Sequence, residues 1–224
     1  MAARTGTDTK ERLSRDTIVA GALELADREG LEAVTIRRLA QDNSVTPMAL
    51  YWHFKDKDAV LDGIAERIFA SVDLPEATDA AWDAELRDAL EAVLAAIRPH
   101  PLVGDLLAPR VMRSEPGLVL SERVIGMLRR AGFSASDASQ TAAFLLCSIV
   151  TLVTSEPGKR TASSPESEED DLRAKRAQLD SLSPKRFPYL LESAQYFLVC
   201  EDEETYFTRG MDFLVEGTRG VRSA

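Results

Sequence analysis

Residues 35–57, TIRRLAQDNSVTPMALYWHFKDK, hold the densest set of side chains suited to one kind of chemistry. Two short helical patterns meet at a tight turn of Asn43, Ser44 and Val45, and the second opens with Thr46 and Pro47. Proline is at ease at a first helical position, where its missing N–H had no partner to lose. Ile36, Leu39, Ala40, Val45 and Leu50 are spaced to hold the two helices at a fixed angle. Arg37, Thr46, Met48, Tyr51, Trp52, His53 and Lys57 are left to face outward. A helix-turn-helix needs this arrangement, because the first residues of its second helix must reach base edges in the major groove of DNA.

The charge distribution agrees with that chemistry. The chain of 224 residues has 27 Lys and Arg against 37 Asp and Glu, a formal net charge of -10, which excludes a protein coated in positive charge. Binding follows the local field rather than the sum. Within residues 35–57, Arg37, Arg38, Lys55 and Lys57 outnumber Asp42 and Asp56. The arm ahead of the first helix adds Arg4, Lys10, Arg12 and Arg15 against Asp8 and Glu11. A modest positive patch suffices, since neutralising phosphates releases counterions.

The elements that must position these residues are helical almost throughout, with no sustained strand alternation and no internal repeat. The fold class is therefore all-α. A first helix starts at Ser14, a good N-cap, and stops at Gly30. Thr35 caps the second helix, Thr46 the third, which ends near His53, and Asp56 a longer fourth. Beyond Pro75, helices are expected over about residues 78–97, 118–131, 134–154, 171–181, 189–199 and 204–219, with Pro99, Pro101 and Pro109 breaking the stretch after the first of these. Residues 155–171, SEPGKRTASSPESEEDD, have the composition of a polar loop. This divides the chain into an arm and DNA-binding head, 1–56, a connecting helix, 57–74, and a larger helical body, 75–224.

Other chemistries find little support. Cys147 and Cys200 are too few for a disulfide framework or a four-cysteine zinc site. His53 and His100 leave little for metal binding, and His100 between two prolines has no nucleophile signature beside it. No glycine-rich phosphate loop occurs. The expectation is no enzyme, no cofactor and no metal. The longest apolar run, residues 142–153, is short of a bilayer span, and the N-terminus has no apolar stretch typical of a secretory signal. A cytoplasmic protein without a membrane partner is expected. One rival reading places a divalent-metal site, and an all-α enzyme, on the acidic run Glu168, Glu169, Asp170 and Asp171. Another is a DNA-associating protein with no effector. Three further residues have plain structural readings: Trp52 as head core instead of a backbone clamp, Arg38 as a solvated charge, and Trp82 as core.

The segments LSRDTIVAGALELADREGLEAVTIRRLA and VTPMALYWHFKDKDAVLD resemble the tetracycline-repressor (TetR-type) family of bacterial transcriptional regulators. The PxxLYWHxxxK stretch is the specific part. WDAELRDAL, FPYLLE and YFTRGMDFLVEGTRG more loosely resemble helices of its regulatory domain. One departure stands at the turn, where Asn43 and Ser44 replace the usual Leu-Gly.

The resemblance implies roles. The DNA-binding set is Thr35, Arg37, Thr46, Pro47, Met48, Tyr51, Trp52, His53 and Lys57. Arg37 would reach a guanine, and Thr46, Pro47 and Met48 would lie over base edges and thymine methyls. Tyr51, Trp52 and His53 would clamp sugar-phosphate, and Lys57 would meet a phosphate. The positions comparable to the tetracycline contacts, about Ala89, Val93 and Leu107, are apolar here, which argues against a magnesium–tetracycline complex. A pocket for a small, mostly apolar effector is expected from Ala89, Val93, Leu107, Met112, Phe144 and Cys147. The resemblance also implies a homodimer on a palindromic operator of double-stranded DNA. Its seam would be a four-helix bundle of residues 138–154 and 204–219, with Val150, Phe207, Met211 and Leu214 as seam residues.

Overall fold

A computed structural model describes residues 13–76, 81–156, 165–198 and 202–222, with backbone alone at 165–168 and 197. All regular structure among the described residues is helical. Arg4, Asp8, Lys10, Glu11, Arg12 and Cys200 lie outside them.

Local signals set the head. In α1 (Arg15–Glu29) the Ser14 hydroxyl accepts from the Thr17 amide at 3.1 Å, filling one of the amide positions a helix start leaves open. Thr35 does the same for α2 (Ile36–Asp42), accepting from the Arg38 amide at 3.1 Å. Pro47 opens α3 (Pro47–Tyr51), which ends two residues before the expected His53. Asp56 caps α4 (Lys57–Ala70) through the Ala59 amide at 2.8 Å. Ile18, Ala22, Leu25, Val34, Leu39, Leu50, Phe54, Val60 and Ile64 are buried together and fix these four helices against one another.

The body begins with α5 (Trp82–Ile97), followed by two 3-10 segments, Pro101–Leu106 and Ala108–Arg113, where the prolines stop an α-helix. Then come α6 (Glu115–Arg130) and α7 (Ala135–Thr154), each capped by a serine, Ser114 and Ser134. Next are α8 (Pro165–Asp180), α9 (Pro188–Glu192), α10 (Ala194–Leu198) and α11 (Glu203–Arg222). Trp82 is partly buried, edge-on to Phe133 at 6.0 Å between centroids. Glu85, buried on α5, pairs with Arg130 at 3.0 Å.

Three sequence expectations change here. The polar stretch gives way to helix at Pro165, six residues before Asp171. Proline and acidic residues suit a first helical turn, and Arg173 pairs with Glu169 at 3.3 Å and Asp170 at 2.7 Å along the exposed surface. The helix expected over 189–199 is two short helices parted at Ser193. The apolar run in α7 belongs to a 20-residue helix, long and apolar enough by composition to cross a membrane. Its inner side, Ala138, Leu145, Ile149 and Val153, is buried among the body helices.

Among the described residues, polar contacts join the body to α1 and to α4. Asp27 of α1 lies 2.8 Å from Nδ1 of His100, at the entry to the first 3-10 segment. Asp58 and Asp62 of α4 hold Arg110 and Arg113 from the second.

Candidate DNA interface and effector cavity

The turn between α2 and α3 is closed by the Val45 amide on the Ala40 carbonyl at 2.9 Å. Ser44 takes the left-handed conformation, φ 55°, and is the one non-glycine residue to do so among those described. Asn43 stays right-handed and donates its side-chain amide to the Leu39 carbonyl at 2.8 Å. Ser44, rather than Asn43, thus occupies the place where the family's glycine would relieve strain.

Beyond this turn the α3 tip stands free. Thr46, Pro47, Met48, Tyr51, Trp52 and His53 are all exposed. Trp52 is 85% exposed, which removes it from the head core, where Leu50 and Phe54 sit instead. Thr35 is exposed and its hydroxyl is engaged as the α2 cap.

The cations differ in their freedom. Arg38 is a solvated charge that also has partners: it bridges Glu29 at 2.9 Å and Asp42 at 3.1 Å, whose hydrogen bonds raise its pKa above the ordinary value. It ties α2 to the end of α1. Arg15, assigned to the basic arm, belongs to α1, where its guanidinium lies over the Phe54 ring at 5.2 Å and pairs with Glu66 at 3.5 Å. Arg37, next to Arg38 in sequence, is exposed and takes no part in that network. Lys57 is half-buried and donates to the Leu31 carbonyl at 3.0 Å, a bond the sequence did not signal.

In the body, a cavity of about 320 Å³ opens between α5, the second 3-10 segment, α6 and α7, within the size range of small-molecule sites. Val93 and Met112 line it, together with Leu90, Val111, Val124, Ile125, Ala142 and Leu146, which the sequence reading had not assigned. Its polar contributors are Ser121 and Ser139, and among the described residues no charged side chain lines it. Ser121 already donates to the Gly117 carbonyl at 2.8 Å.

The other assigned pocket residues lie elsewhere. Ala89 and Leu107 are fully buried core away from the lining. Phe144 and Cys147 are exposed on the outward side of α7. The assigned seam residues show the converse. Val150, Phe207 and Met211 are buried within the protomer, and Leu214 is partly buried against the same core. Phe207 lies under the Arg98 guanidinium at 4.6 Å. At the crossing of α7 and α11 the helices approach closely: a Cβ on Gly210 would meet Leu152 at 2.8 Å. The outward apolar side chains are Phe144 and Cys147 on α7 and Phe213 and Val221 on α11.

A small helical head with an exposed reading tip, joined by one helix to a body that encloses an apolar cavity, is the plan of a ligand-responsive transcriptional regulator. The chain belongs to the tetracycline-repressor family. Residues 18–64 match the family model described as bacterial regulatory proteins, tetR family, and residues 74–222 match that of the tetracyclin repressor-like C-terminal domain. The chain is 29% identical over 213 residues to an HTH-type transcriptional regulator of Saccharopolyspora erythraea, covering 93% of this chain and 86% of that one. It is 29% identical over 218 residues to the class C tetracycline repressor protein of Escherichia coli, covering 94% and 93%. Its fold matches that of the TetR family protein ActR of Streptomyces coelicolor, solved in complex with actinorhodin. The TM-score is 0.76, with 23% identity, covering 95% of this chain and 99% of the other. Family members bind DNA operators as dimers and respond to small molecules, and these relatives are transcriptional regulators rather than enzymes.

Proposed function

We propose that this protein is a repressor that binds a palindromic operator as a homodimer and is released by a small, mostly apolar ligand held in the body. The observation that carries the reading is the α3 tip: Thr46, Pro47, Met48 and Tyr51 stand exposed, and Arg37 is exposed on α2, the preceding helix of the pair. Arg37 supplies bidentate recognition of a guanine, and Pro47 and Met48 offer apolar contact to thymine methyls. Tyr51, Trp52 and His53 meet sugar-phosphate, which positions the head without reading sequence. Lys57 acts from the base of α4.

The dimer seam is proposed on the outward sides of α7 and α11, through Phe144, Cys147, Phe213 and Val221, which are exposed in the single chain. Two heads then sit one helical turn of DNA apart. The functional division places the head in residues 1–56, the connecting helix in 57–74 and the sensing and dimerising body in 75–224, and the protein works in the cytoplasm. A ligand that prefers the non-binding arrangement of α4 lowers operator affinity by that preference alone.

The cavity's uncharged lining supports a ligand other than magnesium–tetracycline. It also favours an effector over the effector-free reading. The acidic run offers little to a metal, since Glu169 and Asp170 are paired with Arg173. Selection of bound sequences from random duplex DNA tests the whole proposal. Recovery of two-fold symmetric sites with half-site centres about 10 base pairs apart is expected. Recovery of no motif, or of one without symmetry, would overturn it.

A further inference from the structure

We propose that the effector is a neutral, largely apolar molecule carrying a hydrogen-bond donor, a hydroxyl or an N–H, and that Ser121 is the residue that reads this donor; the inference deepens the ligand-responsive reading above and rests on it. The cavity-facing stripe of α6 is Ser121, Val124 and Ile125, at the i, i+3, i+4 spacing of one helix face. An apolar side chain at the first of these positions would bury more apolar surface and stabilise the body. A hydroxyl stands there instead, half-buried between the buried Leu120 and Val124. Departures of this kind from the pattern of a helix face are expected where function requires them.

The direction of its hydrogen bond sets what Ser121 can read. The hydroxyl donates to the Gly117 carbonyl at 2.8 Å. A serine oxygen has one proton and two lone pairs. With the proton turned back onto the helix, lone pairs remain for a ligand. They suit an O–H or N–H donor and offer nothing to a ketone, ether or ester oxygen. Ions are disfavoured, because burying one without an opposite charge is costly and the described lining holds no charge. Ser139, the other polar residue of the lining, differs in place. It is exposed, as are Met112 and Ala143, so these three mark the mouth. Water already serves a hydroxyl there, and a ligand gains little by replacing it. Leu90, Val93, Leu145 and Ile149 are buried and hold the apolar part of the ligand. The rival reading is that Ser121 only closes on its own helix, a bond open to any serine within a helix.

Two probes of one skeleton separate these readings. 2-Naphthol donates and accepts, whereas 2-methoxynaphthalene only accepts. The affinity of each is measured by displacement of N-phenylnaphthylamine, whose own affinity is determined for every variant. Ser121→Ala should weaken 2-naphthol binding by about fivefold, the loss of one hydrogen bond. It should change 2-methoxynaphthalene binding by less than about twofold, the margin for a site that does not interact. Ser121→Thr and Ser121→Val match each other in shape and repeat the hydroxyl deletion at constant volume. The threonine variant should keep the preference for naphthol and the valine variant should lose it.

Equal weakening of both probes, or of neither, in both deletions would overturn the proposal, as would a wild-type protein that binds no naphthol. A naphthol preference that survives both deletions and disappears in Ser139→Ala would place the handle at the mouth and overturn it as well. The probe ratios involve no DNA. Failure of the wild-type protein to select any duplex would overturn the regulator reading and leave those ratios standing.

Discussion

Lys57, at the start of α4, donates its ammonium group to the carbonyl oxygen of Leu31, 26 positions earlier, at 3.0 Å. One residue thus ties the foot of the connecting helix to the loop between α1 and α2, leaving its other donors for a phosphate. Lys57→Met keeps the stem and removes the donors. Loss of a charged hydrogen bond is expected to lower stability by about 1.5 kcal/mol in urea unfolding. Operator binding should weaken across sequences, and the slope of log affinity against log salt should flatten by about one. A slope identical to wild type would confine Lys57 to holding the head together.

Arg37→Ala should behave differently, because Arg37 has an exposed guanidinium outside the Arg38 network. Its loss should cost about 1–3 kcal/mol of operator affinity and relax preference at one base pair of each half-site. Repeating the sequence selection with the variant checks this. A motif with every position as sharp as before would remove Arg37 from the base-reading set.

Ser44 holds a left-handed conformation, φ 55°, which costs a residue with a Cβ about 1 kcal/mol or more. Ser44→Gly is therefore expected to stabilise the head by a few tenths to about 1 kcal/mol, after the entropy glycine loses on folding. Asn43→Gly should destabilise, since Asn43 is right-handed and its side chain bonds the Leu39 carbonyl. Denaturant midpoints of the two variants should move in opposite directions.

The described residues line the cavity without charge. Two fluorescent probes of nearly the same skeleton test what that means. N-phenylnaphthylamine is neutral, and anilinonaphthalene sulfonate carries an anion whose burial without a partner is costly. The neutral probe should bind with blue-shifted emission that Ala142→Phe abolishes, with no dependence on magnesium. Preferential binding of the sulfonate, or a requirement for magnesium, would contradict the reading of the lining.

Arg113 and Arg110 hold the Asp58 carboxyl below the usual carboxylate range, Arg113's hydrogen bond being the larger cause and partial burial opposing it. A depressed folded-state value contributes stability that is present above the ordinary range and lost as pH falls through the folded value. Asp58→Asn should therefore be less stable than wild type at neutral pH. The gap should close in acid, below the ordinary carboxylate range. A gap unchanged down to the acid transition would show that the pair does not act through Asp58's charge.

The head was legible in the sequence because its signals are local. Ser14, Thr35 and Asp56 cap helices within three residues of themselves, and Pro47 opens α3. These effects depend on the few neighbouring residues that sequence displays. The long-range polar contacts were not legible, since the ion pair of Arg38 with Glu29 and the hydrogen bond of Lys57 to the Leu31 carbonyl depend on helices meeting in space. The faces of the body helices were harder still. α7 is apolar nearly all round, so periodicity cannot say which side is inner. Phe144 and Cys147 were placed in the cavity and face outward, while Val150 was placed outward and is buried. On α11, Phe207 and Met211 share a true apolar stripe that turns to the protomer's own core, and Phe213 stands on the other side.

α7 shows Ala142 and Leu146 to the cavity and Phe144 and Cys147 to the outside. With a second molecule seated on that outer surface, a single rod about 10 Å thick separates each effector from its twin subunit. A chamber that fills leans on its own α7, and α7 in turn bears on the partner, so release from DNA should follow effector concentration more steeply than simple saturation allows.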